Sequence, residues 1–504
     1  MSHTPGDTRL AAEVVIVVLG ASGDLARKKT FPALFNLYRL GLLPHKTSII
    51  GYARTQMDTA TFHDKVVSQL TDTQSPEGQK AAQEFLQILS YTPGSYDDPA
   101  AFQALEKEIQ AIEQERGVAK KGSHRLFYMA LPPSVFTKVA KHLKEECYSP
   151  TASNRIIIEK PFGKDLASCE EMLTSLGPLW REDETFRIDH YLGKEMVKNL
   201  LTVRFANPPI EATLNNKWVS NVQITFKEPF GTDGRGGYFD EFGIIRDIQQ
   251  NHLSQVLSLF AMEQPKSLDA ESIRDAKVQV LKDIPPIQLK DALLGQYVAA
   301  NGKPGYKDDD TVPNDSHCPT FAALALYINS PRWEGVPFIL KAGKALNEAK
   351  VEIRVQYKDA SQNLFPHSGE LMRNEFVLRI QKGEAVYVKV NAKAPGLTYD
   401  LVNAELDLTY KDRFANARIP EAYESLISDA LAGDHSNFVR DDELIASWKI
   451  FTPLLHAIDR GEVINEPYDY GSRGPAKLND WMAQYGYKYE NQHYAWPKTD
   501  VRGH

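Results

Sequence analysis

What this sequence lacks narrows its function before any motif is read. Only 3 of its 504 residues are cysteine. Cys147, Cys169 and Cys318 sit at spacings that fit neither a disulfide framework nor a zinc site. A reducing compartment follows. Positive charge is not in excess: the net charge of −8 excludes a general role on nucleic acid or on an anionic membrane surface. No apolar run approaches the ~20 residues that crossing a bilayer requires. The opening residues, MSHTPGDTRLAAE, lack the basic and apolar regions of a signal peptide, and the closing Arg-Gly-His is no peroxisomal or retention tripeptide. A cytoplasmic location is expected. Internal repeats and low-complexity tracts are missing as well.

What is present is the composition of an ordinary globular protein, 42% hydrophobic and 25% charged. The chain is too long for one core, so two domains are expected. In the first part, the β-branched run Val14–Leu19 reads as a strand covered on both faces. A glycine turn and a helical pattern over 24–40 follow, then the strand Ser48–Tyr52. Further on come Leu126–Leu131, a helix to about Glu146, and Arg155–Glu159. Strands alternating with helices predict a parallel, doubly wound α/β domain of the Rossmann type, placed at 1–193. Beyond it the texture changes. Strand-like segments fall at 218–227, 318–328, 350–356, 375–380, 385–390 and 405–408, and several alternate polar with apolar residues, as 351–355 does. Helical stretches fall at 244–259, 419–432 and 443–457. The second domain, 194–504, is therefore expected to be α+β on a large, mainly antiparallel sheet. The acidic stretch 302–316 reads as a solvated turn rather than a metal site.

Gly20-x-x-Gly23-x-x-Ala26 follows a buried strand and opens a helix, where backbone amides hold a pyrophosphate and missing side chains let it approach. It departs from the usual G-x-G-x-x-G, with Ser22 in the middle glycine position and Ala26 in the last. The next strand ends in Arg54, not in the acid that binds a ribose 2′-hydroxyl. A guanidinium matches a 2′-phosphate, so NADP is read over NAD. Lys160 lies at the carboxyl end of a parallel strand, the end where open α/β sheets bind ligands. Arg187-Ile188-Asp189-His190-Tyr191-Leu192-Gly193-Lys194-Glu195 crowds cations, an imidazole, a phenol and carboxylates into nine residues. His190, Tyr191 and Lys194 offer donors for a phosphoryl group. Asp189, acceptor-only when ionised, suits the orienting of an imidazole. His252 is the imidazole proposed for it, a base for removing a hydroxyl proton. Asp247 and His252, five apart on an ideal α-helix, are expected to diverge by over ~100° and to address different parts of a pocket.

Taken together, GASGDLARKK (20–29), GYAR (51–54), LFYMALPPSVF (126–136), IIIEKPFG (156–163), RIDHYLGKE (187–195), FKEPFGTDGRGGYFDEFGIIRDIQQNH (226–252), KAGKALNE (341–348) and YGSRGP (470–475) resemble the glucose-6-phosphate dehydrogenase family. The resemblance runs from about Val14 to Trp496. It implies His252 as general base with Asp189 as its partner, and His190, Tyr191 and Lys194 as the phosphate group. Lys160, Glu228, Asp247, Lys344 and Gln381 become further substrate contacts, Lys160 also touching the cofactor. The NADP site would comprise Gly20, Ala21, Ser22, Gly23, Asp24, Leu25, Ala26 and Arg27, with Arg54 and Tyr128. The implied reaction is oxidation of glucose 6-phosphate at C1 with hydride transfer to NADP, the first step of the oxidative pentose phosphate pathway. No metal is implied. Some members carry a second, structural NADP. The matching positions are Lys341, Lys350, Arg354, Arg379, Tyr387, Lys389, Asp407, Thr409, Arg473, Tyr489 and Trp496. Lys341 replaces an arginine found in some members, and Ala349 replaces a basic substrate contact. A homodimer or homotetramer is implied. Two rival readings are a sugar oxidoreductase of the glucose–fructose oxidoreductase type and a non-catalytic NADP sensor.

Overall fold

The computed structural model describes residues 13–117, 124–365, 367 and 369–489. Six strands form the first sheet: β1 (Glu13–Leu19), β2 (Lys46–Ala53), β3 (Leu89–Pro93), β4 (His124–Met129), β5 (Ser153–Glu159) and β6 (Thr185–Ile188). Their order is β3-β2-β1-β4-β5-β6 and every pairing is parallel. This is the doubly wound arrangement, and its order reverses between β1 and β4, where such sheets bind ligands. Every residue of β1 is buried, as an uninterrupted Val/Ile/Leu run requires of a strand with helices on both faces.

The second sheet has nine strands: β7 (Val219–Lys227), β8 (Ala292–Val298), β9 (Phe321–Tyr327), β10 (Pro337–Gly343), β11 (Lys350–Tyr357), β12 (Glu375–Gln381), β13 (Ala385–Lys393), β14 (Leu401–Thr409) and β15 (Glu466–Asp469). They run in the order β14-β13-β12-β11-β7-β10-β9-β8-β15. Only the β7–β10 and β8–β15 pairings are parallel, so the sheet is mainly antiparallel, as expected. The expected strand at 318–328 starts at Phe321, and that at 405–408 extends to Leu401–Thr409. In the acidic stretch, Asp308 and Asp309 accept the Gly305 and Gly236 amides, which makes it a capped turn.

A single cut at 193/194 separates the two sheets but not the two compact units. Unit one comprises Met1–Asn207, Arg246–Pro286 and Asn416–His456; unit two comprises Pro208–Ile245, Ile287–Ala415 and Ala457–His504. Helices from the later sequence thus complete the first core. Leu426, Ile427, Ala430 and Leu431 of the helix Ala422–Ala432 pack with Val14, Phe35 and Ile157. Their apolar face has to be covered, and sequence proximity does not decide by what.

Two helical segments are wound more loosely than the periodicity suggested. Residues Ala26–Thr30 form a π-helix that passes into the α-helix Phe31–Arg39. Pro32 explains it: in α geometry its ring would clash with the carbonyl of Lys28, four residues back. The second is Ile245–Leu253, also a π-helix, followed by the α-helix Ser254–Ala261. Among the described residues no helix is long and apolar enough to cross a membrane.

Candidate active site

The site is assembled from strand ends of the first sheet. Gly20, at the end of β1, has φ +82°, and a Cβ there would lie 2.2 Å from the Ala130 carbonyl oxygen beyond β4. Only glycine fits that crossing. The Gly20 and Ala21 amides bond to the Tyr52 carbonyl oxygen, and the Gly23 amide to that of Gly20. Ala21 and Ala26 are buried. Asp24 is exposed and ion-paired with Arg27 and Lys28. Across from the turn, the Ser22 and Thr55 hydroxyls lie 3.0 Å apart. Arg54, just past β2, is exposed, its guanidinium 5.3 Å from the centre of the Tyr96 ring.

Asp189 directly follows β6. Its Oδ1 lies 2.5 Å from Nδ1 of His252 and accepts the Tyr191 amide at 2.9 Å. The imidazole is only 2% exposed. Tyr191 stacks on it at 4.4 Å between ring centres, and His190 meets it edge-on at 4.5 Å. Ligand atoms of Asp189, His190 and His252 all fall within 4.8 Å of one another. Lys194 Nζ lies 4.9 Å from the Tyr191 ring. The short sequence separation of His190, Tyr191 and Lys194 becomes one cluster because consecutive turns follow β6.

The π-helix changes the geometry expected of Asp247 and His252. With i→i+5 hydrogen bonding, residues five apart stack along one face rather than diverging. Lys160 Nζ, from the end of β5, donates to the Asp247 carbonyl oxygen at 2.9 Å and approaches Oδ1 at 3.3 Å. Both the Lys160 and Asp247 charges act on the His252 imidazole. The π winding thus brings Asp247 and His252 toward one side of the helix, with Lys160 fixed on Asp247, where divergence around an α-helix was expected. Side chains from a neighbouring helix fasten the loose winding. Ser447 donates to the Gln250 carbonyl oxygen at 2.8 Å and accepts from its side-chain amide at 3.3 Å. The Lys160–Pro161 peptide is cis.

Electrostatics separate the members. Burial lowers the pKa of His252 below the usual imidazole value against the pull of Asp189, so the ring is neutral near pH 7. His190 is depressed further, by burial and then by the charge of His252. Burial would raise Asp189, but the His252 charge and hydrogen bond, with His190 and the Tyr191 amide, hold it well below the carboxylate range. Nδ1 of His252 is engaged by the carboxylate, which leaves Nε2 as the nitrogen able to take up a proton.

Two residues that sequence reasoning passed over belong here. Glu159, immediately before Lys160, is buried and accepts the Tyr128 hydroxyl at 2.5 Å. Burial, chiefly, pushes its carboxyl up to about 7. An acid closing an apolar strand was the available signal. Tyr423 lies parallel to the His190 ring at 6.1 Å. No local signal in the sequence marks it. Tyr128 is itself almost wholly buried, with its hydroxyl committed to Glu159.

The remaining candidates lie in the second unit. Lys344 Nζ is 2.6 Å from Glu228 Oε2. Gln381 closes β12. Glu352 gathers Arg354 at 3.0 Å, Arg379 at 3.4 Å and Lys350 at 3.6 Å. Glu375 takes Lys389 at 3.3 Å and also pairs with Arg354. Tyr387 is buried beside them, opposite Asp407, whose Oδ2 accepts the Thr409 hydroxyl at 2.9 Å. Lys341 Nζ donates to Gln223 at 3.0 Å and, with Lys227 and Arg473, lines a cavity of about 170 Å³. The Arg473 guanidinium lies 4.6 Å from the Tyr489 ring centre. Trp496 falls outside the described residues. The acids Glu352 and Glu375 were not anticipated.

Two family models match, the NAD binding domain of glucose-6-phosphate dehydrogenase over residues 17–199 and its C-terminal domain over 201–490. The first part of the chain is accordingly a nicotinamide-dinucleotide-binding domain. The glucose-6-phosphate 1-dehydrogenase of Emericella nidulans is 56% identical over 494 residues, 97% of this chain and 95% of that protein. That of Saccharomyces cerevisiae is 51% identical over 98% of each. A solved glucose-6-phosphate dehydrogenase in complex with glucose 6-phosphate superposes with a TM-score of 0.92 at 51% identity, covering 97% of this chain and 100% of the other. Agreement of this kind over both domains, on top of the geometry above, places the chain in the glucose-6-phosphate dehydrogenase family.

Proposed function

We propose that this protein oxidises D-glucose 6-phosphate at C1 to 6-phosphoglucono-1,5-lactone, with NADP as hydride acceptor. The observation that carries the reading is the buried Asp189–His252 pair, 2.5 Å between Oδ1 and Nδ1. Asp189 fixes the tautomer and stabilises the imidazolium, and His252 Nε2 takes the C1 hydroxyl proton. Because burial keeps His252 neutral, the base is ready at neutral pH, and activity falls as pH drops through its depressed pKa. Lys160 and Asp247, held together beside the imidazole, orient the sugar hydroxyls. His190, Tyr191 and Lys194 bind the phosphate, with Glu228, Lys344 and Gln381 as further contacts.

The turn at Gly20 fits a dinucleotide by its place: glycine lets β1 cross close to the Ala130 carbonyl, and the turn leads straight into a helix start at the switch point of the sheet. Residues 20–27 would hold the pyrophosphate, and Arg54 the 2′-phosphate that distinguishes NADP. When bound, the coenzyme supplies the hydride acceptor. Tyr128 belongs to that site through its place on β4, with its hydroxyl committed to Glu159. The second unit suits a second, structural NADP, with Lys341 and Arg473 from the cavity lining and Lys350, Arg354, Arg379 and Lys389 from strands β11, β12 and β13 as its cations. Exposed Val402 and Leu406 on the edge strand β14 are consistent with assembly into homodimers or homotetramers. Two Arabidopsis thaliana relatives named cytoplasmic, 52% and 51% identical, support a cytoplasmic location.

The test is reduced-nicotinamide absorbance with glucose 6-phosphate and each coenzyme in turn. Strong reduction of NADP with glucose 6-phosphate and little with free glucose is expected. Equal turnover of free glucose would favour the glucose–fructose oxidoreductase type, and NADP binding without turnover of any sugar phosphate would favour a sensor.

A further inference from the structure

We propose that Glu159 is a positioning residue for the proposed base couple: its buried carboxyl, docked on Tyr128, sets through Lys160 and Asp189 the charge against which His252 works. The inference rests on the function proposed above and adds a residue to which no role in it was given. Three features of the fold place Glu159 there. It is the last residue of β5 and pairs with Ile188, one position before Asp189. It precedes Lys160, whose ammonium is fixed on Asp247. Its Oε1 accepts the Tyr128 hydroxyl at 2.5 Å, so the carboxyl is held at one point rather than swinging toward solvent. The groups acting on it are Tyr128 from β4, Asp189 from the turn after β6, Lys160 beside it, and Tyr423 from the helix Ala422–Ala432.

A buried carboxyl with this set of neighbours has two states that matter. Protonated, it leaves Asp247 as the counter-charge of Lys160, and the Lys160 charge lowers the basicity of His252. Ionised, it offsets Lys160, and the imidazole becomes the stronger base. Burial raises the carboxyl to about 7, so the change falls within the working range of a cytoplasmic enzyme. Asp189 cannot take this part. Its Oδ1 is already bound to His252 and to the Tyr191 amide, and it stays ionised throughout.

Glu159→Gln tests the assignment, because the amide keeps an acceptor for Tyr128 and cannot ionise. In the wild type, the pH profile of kcat is expected to carry an inflection near the carboxyl's titration. In E159Q that inflection disappears, the acid limb of kcat/KM moves down by about half a unit, and kcat on the alkaline plateau falls about two- to fivefold with KM for glucose 6-phosphate unchanged. Glu159→Asp, which keeps an ionisable group, should restore an inflection at a displaced pH. Infrared spectroscopy of the unmutated protein gives an independent reading. A carbonyl band from a protonated buried carboxyl should fade between about pH 6 and about pH 8 and be missing from E159Q. Superimposable pH profiles of wild type and E159Q, or a wild-type spectrum without a titrating carbonyl band in that range, would overturn the proposal. If glucose 6-phosphate is not oxidised at all, the function falls instead, and the infrared titration still decides whether Glu159 changes charge.

Discussion

Two buried polar regions of this chain handle charge in opposite ways. Around His252, burial dominates and most groups rest in their neutral form: the imidazoles of His252 and His190 are depressed, and the Glu159 carboxyl is raised. The Asp189 carboxylate, by contrast, is held ionised there. Around Glu352 and Glu375, four strand-borne cations and two acids are each matched to an opposite neighbour. Burial opposes Glu352's ionisation, yet Arg354, Lys350 and Arg379 hold its carboxyl far below the usual range. Lys341 is the exception in that region. Burial and then the charges of Lys227 and Lys350 push its ammonium well down. The first arrangement suits moving a proton, since neutral groups can be charged during a reaction. The second suits a fixed scaffold, or a polyanion that would recharge Lys341 on arrival.

The comparison predicts that removing the base harms turnover and spares the fold. His252→Asn should lower kcat by about two to four orders of magnitude, the usual worth of a positioned base, with little change in glucose 6-phosphate binding. Steady-state kinetics together with a direct binding titration checks it. Turnover within a few-fold of wild type would remove His252 from the role and break the contrast at its strongest point.

Breaking a pair in the scaffold should do the reverse. Glu352→Gln strips the buried carboxylate shared by the half-buried Arg354, Lys350 and Arg379, although Arg354 keeps Glu375 and Lys350 keeps Glu348, a loss of about 2 kcal/mol of stability. Denaturation midpoints should fall while kcat holds near wild type. The pH dependence has a definite sign. A carboxyl whose folded pKa lies below its ordinary 4.5 contributes stability above that value and loses it as pH falls toward the folded pKa. The gap between wild type and E352Q should therefore narrow on acidification below about pH 4.5. A gap that widened there would refute the charge assignment.

The two regions also differ in how far the sequence revealed them. Local patterns carried β1, the Gly20 turn, β5 and the nine-residue segment after β6, because each is a short run with its own periodicity or composition. The pairing of Asp189 with His252 followed from their chemistry and the resemblance, not from spacing. The π winding at 245–253 was hidden, since its hydrogen bonds are decided partly by Ser447, which lies 197 residues from Gln250. The helices of 419–432 and 443–457 were legible, but Tyr423's role and the packing of these helices on the first core were hidden for the same reason: a helix's apolar face shows in the sequence, but its partner does not. In the second sheet the alternation in β11 was clear, yet Glu352 looked like an exposed strand residue. Only the folded sheet, with Arg354 and Arg379 beside it, shows it as a buried counter-ion.

Arg54 gives the smallest expected effect and sharpens the contrast, because it is an exposed cation with an aromatic ring beneath it rather than a buried one with acids around it. An exposed guanidinium contributes little to the fold, so Arg54→Ala should leave the denaturation midpoint where it is. Its role, if it grips the 2′-phosphate, is confined to the one group that separates the two coenzymes. The Michaelis constant for NADP should then rise by about tenfold, the lower end of what a charge-assisted hydrogen bond is worth, while that for NAD stays within about twofold. Arg54→Lys separates charge from shape: it keeps the cation but not the planar fork, so an intermediate rise is expected. A parallel increase for both coenzymes would mean that Arg54 acts by stacking on the adenine or by supporting Tyr96. The preference for NADP would then have to come from Ser22 and Thr55, whose hydroxyls already meet across the same turn.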